Sequence, residues 1–230
     1  MERGRIDSVS LAGIAVFGAL AILLSAASQS LGLNFPVIPY LQFDLGEVAV
    51  VMALYIFGPI PAAAASFVEF VGLEAYGLNR PFGPAIKLGA LLSSVAGLWL
   101  GTRLVSGLAR VSVRNVVISS ASVGIVARVA AMTLANYYLV VFIYGLGSTV
   151  SFYNLPQTFS AIGIGWTSVN ALLLILVFTG IFNALQLAFV IALSYTVLRF
   201  PPVTNLRVGG RAPWFIAVTA PRTSHEGALH

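Results

Sequence analysis

Apolar residues fall in six blocks along the chain, and the stretches between them are rich in glycine, proline and arginine. The first block, 9–32, runs into Leu33-Asn34-Phe35-Pro36-Val37-Ile38-Pro39-Tyr40, where two prolines in a short window break the helix and predict an ordered loop. Two shorter blocks, 46–57 and 60–76, flank Phe57-Gly58-Pro59-Ile60-Pro61, which reads as a tight turn between neighbouring helices. A second turn-rich stretch, 76–84, precedes the fourth block, 85–103, and a basic loop with Arg103, Arg110 and Arg114 precedes the fifth, 115–142. Residues 145–165, rich in Gly, Ser, Pro and aromatics, predict a longer loop, and the sixth block, 167–198, ends at Arg199-Phe200-Pro201-Pro202. Beyond it apolar periodicity fades. The expected division is therefore a six-helix membrane domain over 1–200 and a flexible cytoplasmic tail over 201–230.

A hydrocarbon core about 30 Å thick takes roughly 20 apolar residues per helical span, so these blocks predict an all-α integral membrane protein with six transmembrane helices. Composition agrees: 59% of the 230 residues are apolar and 8% charged, which leaves no room for a large extramembrane domain. Arg3 and Arg5 before Leu11–Leu24, with Ser25-Ala26-Ala27-Ser28 after it, imitate a secretory signal. Because further apolar blocks follow at once, the run is read as a retained first span. The net charge of +5 has a topological reading. Arg3, Arg5, Arg103, Arg110, Arg114, Arg199, Arg207, Arg211 and Arg222 fall at one end of six alternating spans and Arg80 at the other, which predicts that both termini are cytoplasmic. Nucleic acid is not an expected partner of this charge; the lipid bilayer is.

Catalytic inventories come up short. There is no cysteine, the only histidines are His225 and His230 in the tail, and the only aspartates are Asp7 and Asp44. That removes thiol chemistry, a Ser-His pair within the bilayer, the zinc motif H-E-x-x-H, and an aspartate-rich cradle for Mg²⁺ and pyrophosphate. No phosphate-binding G-x-x-x-x-G-K-[ST] loop occurs either. The chain reads as a non-enzyme without metal or cofactor: a transporter, a channel or a membrane scaffold.

Polar residues inside the blocks carry the remaining information, because a charge within a span costs about 2.5 kcal/mol or more unless it pairs or lines a cavity. Glu69 and Glu74 in the third block, Lys87 at the start of the fourth and Arg128 inside the fifth are the candidates. Glu69 and Glu74, five apart, point to different helix faces, which argues against a proton relay. Glu69 with Lys87 reads as a structural ion pair between adjacent spans, and loss of either partner alone is expected to be costly; a direct ligand role is the alternative. Asn136, and Asn183 with Gln186 three residues on, offer donors and acceptors without charge, suited either to a neutral heterocycle or to interhelical hydrogen bonds. In the first block, Ala12, Ala15, Ala19 and Ala26 form a small-residue stripe, either for packing within the chain or for a partner helix.

Several segments taken in order resemble the S components of energy-coupling factor (ECF) vitamin transporters, most closely their riboflavin-specific, RibU-type branch. They are Phe35-Pro36-x-x-Pro39 with Leu41-Gln42-Phe43-Asp44, Phe57-Gly58-Pro59, Gly83-Pro84, Met132-Thr133-Leu134-Ala135-Asn136-Tyr137-Tyr138 with Tyr144-Gly145, and Phe182-Asn183-x-x-Gln186. The resemblance spans about 150 residues. It implies a six-helix S-component bundle in a prokaryotic plasma membrane that captures riboflavin, as transported ligand rather than cofactor, near the outer face. It implies energising partners, namely a transmembrane coupling protein and two cytoplasmic ATPases, with Ala15 and Ala19 facing the coupling protein. It implies that Asn136 and Asn183 bind the flavin and that the loop from Phe35 to Leu41 caps it; a flat ring with polar edges then makes Gln186 a third expected amide and Phe35, Leu41, Tyr137 and Tyr138 expected wall or lid residues. Two departures stand out. The branch carries lysine where Gln186 stands, and it is more often basic in the third span and acidic in the fourth, the reverse of Glu69 and Lys87. Another vitamin, a modified flavin, or a non-transport scaffold subunit are the alternatives.

Overall fold

The computed structural model describes residues 7–77, 80–106, 113–152, 154–167, 170–199, 207 and 209–219. Every element in it is helical. Helix α1 (Ser8–Leu31) is started by Asp7, whose carboxylate accepts from Ser10 N at 2.8 Å, and stopped by Gly32 in the left-handed conformation, φ 61°. An oxygen-bearing side chain before the first turn and a glycine after the last satisfy the orphan backbone groups of the two ends. Helices α2 (Gly46–Phe57) and α3 (Pro59–Tyr76) meet at Gly58, φ 96°, with Pro59 opening the second helix. Then come α4 (Phe82–Ser106) and α5 (Val113–Tyr138), the latter prolonged by a π-helical turn, Leu139–Ile143. Short helices α6 (Leu146–Phe152) and α7 (Leu155–Ala161), long α8 (Ala171–Leu198) and short α9 (Trp214–Thr219) complete the described elements.

Helices thus occupy all six apolar blocks, but four of them are long and apolar enough to cross a membrane: Ser8–Leu31, Phe82–Val105, Arg114–Ile143 and Ala171–Leu198. The helix over the second block has 12 residues, about 18 Å at 1.5 Å per residue, and falls short of a bilayer crossing. Its surroundings explain how it persists. From Gly46 to Ile56 all its residues except Val48 are buried, so α2 is an internal post enclosed by its neighbours. The long helices turn Leu11, Val16, Leu23, Leu104, Val126, Leu134 and Leu173 outward, each at least 60% exposed. An apolar surface that extensive suits hydrocarbon and marks the chain as membrane-embedded.

The tightest packing joins α4 to α5. A Cβ on Gly101 would lie 2.5 Å from Ser119 O, and one on Gly97 would lie 2.8 Å from Gly124 Cα, so the backbones come together only because these positions lack side chains. The close approach lets Ser119 Oγ donate to Gly101 O at 2.9 Å and Ser120 Oγ to Leu98 O at 2.8 Å.

Two stretches differ from the sequence reading. Residues 145–165 are not one long loop: α6 and α7 fold within them, and Leu155 and Phe159 are fully buried, with the Phe159 ring 5.1 Å from Trp166 and 5.2 Å from Phe178. Helices of seven residues are too short to display a hydrophobic period. The tail is also not loose throughout. Its 209–219 stretch folds back on the bundle, where Gly209 abuts Val9, Trp214 covers Gly58, and Phe215 is buried 5.1 Å from Tyr55. Trp214 and Phe215 supply the anchoring surface that lack of periodicity concealed. Of the tail, residues 201–206, 208 and 220–230 lie outside the described residues, as do Arg3, Arg5 and Arg110.

The docked tail gives the first prediction. Phe215→Ala deletes a core ring and is expected to destabilise the protein by about 3 kcal/mol, seen as a lower thermal unfolding midpoint in detergent. An unchanged midpoint would mean that the tail contributes nothing to the core.

Candidate ligand-binding site

The loop 32–45 is the first component of the site, and its backbone shows why it holds a shape. Phe35 N donates to Leu41 O at 2.7 Å, Leu41 N to Ile38 O at 3.0 Å and Phe43 N to Leu33 O at 2.8 Å. At its root Leu45 N donates to Ser28 Oγ, Gly46 N to Asp44 Oδ1, and Gln186 Nε2 to Asp44 O at 2.8 Å. Polar backbone at membrane depth survives when protein groups satisfy it in this way. Apolar side chains do the rest, since Ile38 is fully buried and Phe35 packs on Phe182 at 5.5 Å and Phe43 at 6.3 Å.

Two groups of charges lie beneath the loop. In the first, Lys87 Nζ meets Glu69 Oε1 at 2.5 Å, Ser25 Oγ at 2.6 Å and Asp44 Oδ2. Glu69 is fully buried, and its second oxygen has no hydrogen-bond partner. In the second, Arg128 and Glu47 form a bidentate pair, Nη1 to Oε2 at 2.5 Å and Nη2 to Oε1 at 2.8 Å, both residues at least 95% buried. Arg128 Nε also donates to Asn183 Oδ1 at 3.0 Å, and Nη1 to Ser94 Oγ at 3.2 Å. Planar guanidinium facing a carboxylate in this fork is the strongest form of the contact and fixes orientation as well as charge.

Above these pairs lies a cavity of about 790 Å³. The ends of α1, α3 and α4, the loop, the C-terminal half of α5 with its π-helical turn, α6 and the middle of α8 enclose it. Leu41, Leu139, Val140 and Phe182 give it apolar walls, while Gln42, Asn136 and Asn183 supply uncharged polar groups and Asp44, Glu47, Lys87 and Arg128 form its charged floor. Such a size and lining, mostly apolar with a few convergent polar groups, is that of a small-molecule site. Among the described residues no cluster of His, Asp or Glu side chains could hold a metal ion.

The structure brings Asn136, Asn183 and Leu41 together on the cavity. Phe35 stands one layer back, behind Phe182. Gln186 does not reach the cavity wall, because its amide nitrogen is engaged with the loop root. Tyr137 and Tyr138 point away from it, onto the outer helix surface, where they pack beside Phe142 at 6.1 and 5.3 Å. Helix geometry explains this. Successive residues turn by about 100°, so Asn136 facing inward carries its two followers outward. Glu69 and Lys87 do pair, with Asp44 as a third member. Ala15 and Ala19 are exposed on the outer face of α1, whereas Gly13, Gly18, Ala21 and Ser25 face inward.

Sequence reasoning missed Asp44, Glu47 and the partners of Arg128. The available signal was numerical: an arginine deep in a span requires a carboxylate at the same depth, and Glu47 in the second block was the unassigned acid. No protein-family model matches the chain, and no curated protein or solved structure matches it.

Asp44 as a third member changes the expectation that loss of either Glu69 or Lys87 alone is costly. Glu69→Gln leaves Lys87 paired with Asp44 and is expected to be mild. Lys87→Met strands two carboxylates and is expected to cost about 3–5 kcal/mol. Thermal midpoints of the two purified variants check the order, and equal losses would contradict the three-membered arrangement.

Proposed function

We propose that the chain is the substrate-binding membrane subunit of an ECF-type transporter, a six-helix S-component bundle that takes up riboflavin. The observation that carries this reading is the cavity itself: about 790 Å³, covered by the 32–45 loop and lined by Asn136 and Asn183. A flat, largely apolar ring system with carbonyls and ring nitrogens on its edge needs apolar walls and a few amides.

Orientation supports capture from outside a prokaryotic plasma membrane. Arg103, Arg114, Arg199 and Arg211 lie at the end opposite the cavity, where the positive-inside rule puts the cytoplasm, and Asp7 at the start of α1 lies with them beside Arg211. Among the described residues no phosphate-binding loop accompanies the cavity, so in this reading energy comes from partners, a coupling protein in the membrane and two cytoplasmic ATPases. The exposed small residues Ala12, Ala15 and Ala19 favour a partner helix on α1 over packing within the chain.

Quenching of riboflavin fluorescence on titration with detergent-purified protein tests the assignment, together with mass spectrometry of small molecules carried through purification. Asn136→Ala and Asn183→Ala each leave a buried ligand group unsatisfied and are expected to cost about 1–3 kcal/mol, up to about a hundredfold in affinity. No saturable quenching by the wild type at micromolar riboflavin would overturn the flavin reading. Ala19→Trp is expected to abolish uptake by cells while leaving quenching intact; equal loss of both would place the stripe inside the chain.

A further inference from the structure

The charged floor of the cavity has a composition that bears on what can bind above it. Lys87 and Arg128 face three carboxylates, Asp44, Glu47 and Glu69. The Lys87 ammonium has three oxygen partners, and the Arg128 guanidinium commits four of its five N–H groups to Glu47, Ser94 and Asn183. Both cations are matched by carboxylates, and the formal sum of the five groups is negative.

The amides are committed as well. Asn183 Oδ1 accepts from Arg128 while its Nδ2 donates to Thr179 O at 2.9 Å, so what Asn183 retains for the cavity is its second N–H. Asn136 Nδ2 donates to Met132 O at 2.9 Å, which leaves its carbonyl oxygen as an acceptor and its second N–H as a donor. From these two amides a ligand therefore meets two donors and one acceptor, held over a floor whose formal charge is negative.

We propose that the cavity selects uncharged heterocycles bearing a carbonyl over their anionic derivatives, and that Glu47 determines this selectivity by cancelling Arg128 and holding it against Asn183. The inference rests on the reading of the cavity as a vitamin site and adds the charge class of the ligand and the residue that sets it. Its magnitude follows from Coulomb's law. One unit charge across a cavity of this size, at about 9 Å and an effective dielectric constant near 20, changes anion affinity by roughly tenfold or somewhat more.

The test uses matched pairs of probes, each an uncharged heterocycle and its phosphate ester: riboflavin with riboflavin phosphate, and pyridoxine with pyridoxine phosphate. Affinities come from fluorescence titration for the flavins and from thermal stabilisation of the detergent-purified full chain for both pairs. The wild type is expected to prefer the uncharged member by at least tenfold. Glu47→Gln uncovers the guanidinium and is expected to lower that ratio about tenfold, Glu47→Asp to keep it, and Glu47→Gln combined with Arg128→Gln to restore it. A merely structural role would reduce affinity for both members alike and leave the ratio unmoved. Should Glu47→Gln fail to fold, Asp44→Asn removes one negative charge at the partly exposed edge of the same floor and is expected to lower the ratio similarly. Preference for the phosphate ester by the wild type, or a ratio that neither substitution moves, overturns the inference. Binding confined to the pyridoxine pair with the uncharged form preferred sinks the riboflavin reading and sustains this one, and binding of neither pair counts against both.

Discussion

Pairing of buried charge organises this protein at one level of the membrane. Lys87 on α4 ties α3 through Glu69, α1 through Ser25 and the loop through Asp44, while Arg128 on α5 ties α2 through Glu47, α4 through Ser94 and α8 through Asn183. Each of the six longer helices contributes a side chain to one or other group. In hydrocarbon, where apolar helices gain little from touching one another, unpaired ions are the costliest state available and their pairing fixes which helices are neighbours. Glycine-mediated contact between α4 and α5 adds close packing, but it lacks the power to choose partners that opposite charges have.

The same layer divides the bundle by function. Toward the arginine-rich end, Val50, Leu54, Leu91, Leu98, Leu187 and Val190 form a packed core with almost no exposure. Toward the other end the helices diverge and the loop fills part of the gap, leaving the cavity. Side chains of the charged layer therefore face both ways, closing the core and forming the floor of the site. A residue such as Asn183 shows the economy of the arrangement, because the hydrogen bond that anchors Arg128 also decides which of its own groups is left for a ligand.

Positions of the helices were legible in the sequence because long apolar blocks and Gly-Pro punctuation are local signals. Depth was not. Glu47 lies one residue inside α2, where a carboxylate reads as an ordinary first-turn acid near the membrane surface. It sits at the level of Arg128 only because the loop before it dips inward, a fact that belongs to three dimensions. The direction of a side chain around a helix was equally hidden where a motif was read as a block: Asn136, Tyr137 and Tyr138 are adjacent in sequence and cannot all face one cavity. Gln186 shares a face with Asn183, as their spacing predicts, but lies about one turn nearer the packed core and is taken up by the backbone of Asp44. The two short helices after the π-helical turn, and α9 in the tail, escaped notice because periodicity needs more length than they have.

The brevity of α2 has a consequence for traffic. Arg128 lies midway along the stretch Val113–Ile143, so a molecule resting on the charged floor has travelled about half the thickness of the barrier before meeting anything solid. Below it stands the post of α2, about 18 Å long and buried at nearly every position. To pass α2 a molecule on the floor would need the walls around that helix to part, and parting them means separating the buried ion pairs of Glu47 and Glu69. On the proposed transport reading, loading would need this chain alone, whereas unloading to the opposite side would need work from a partner.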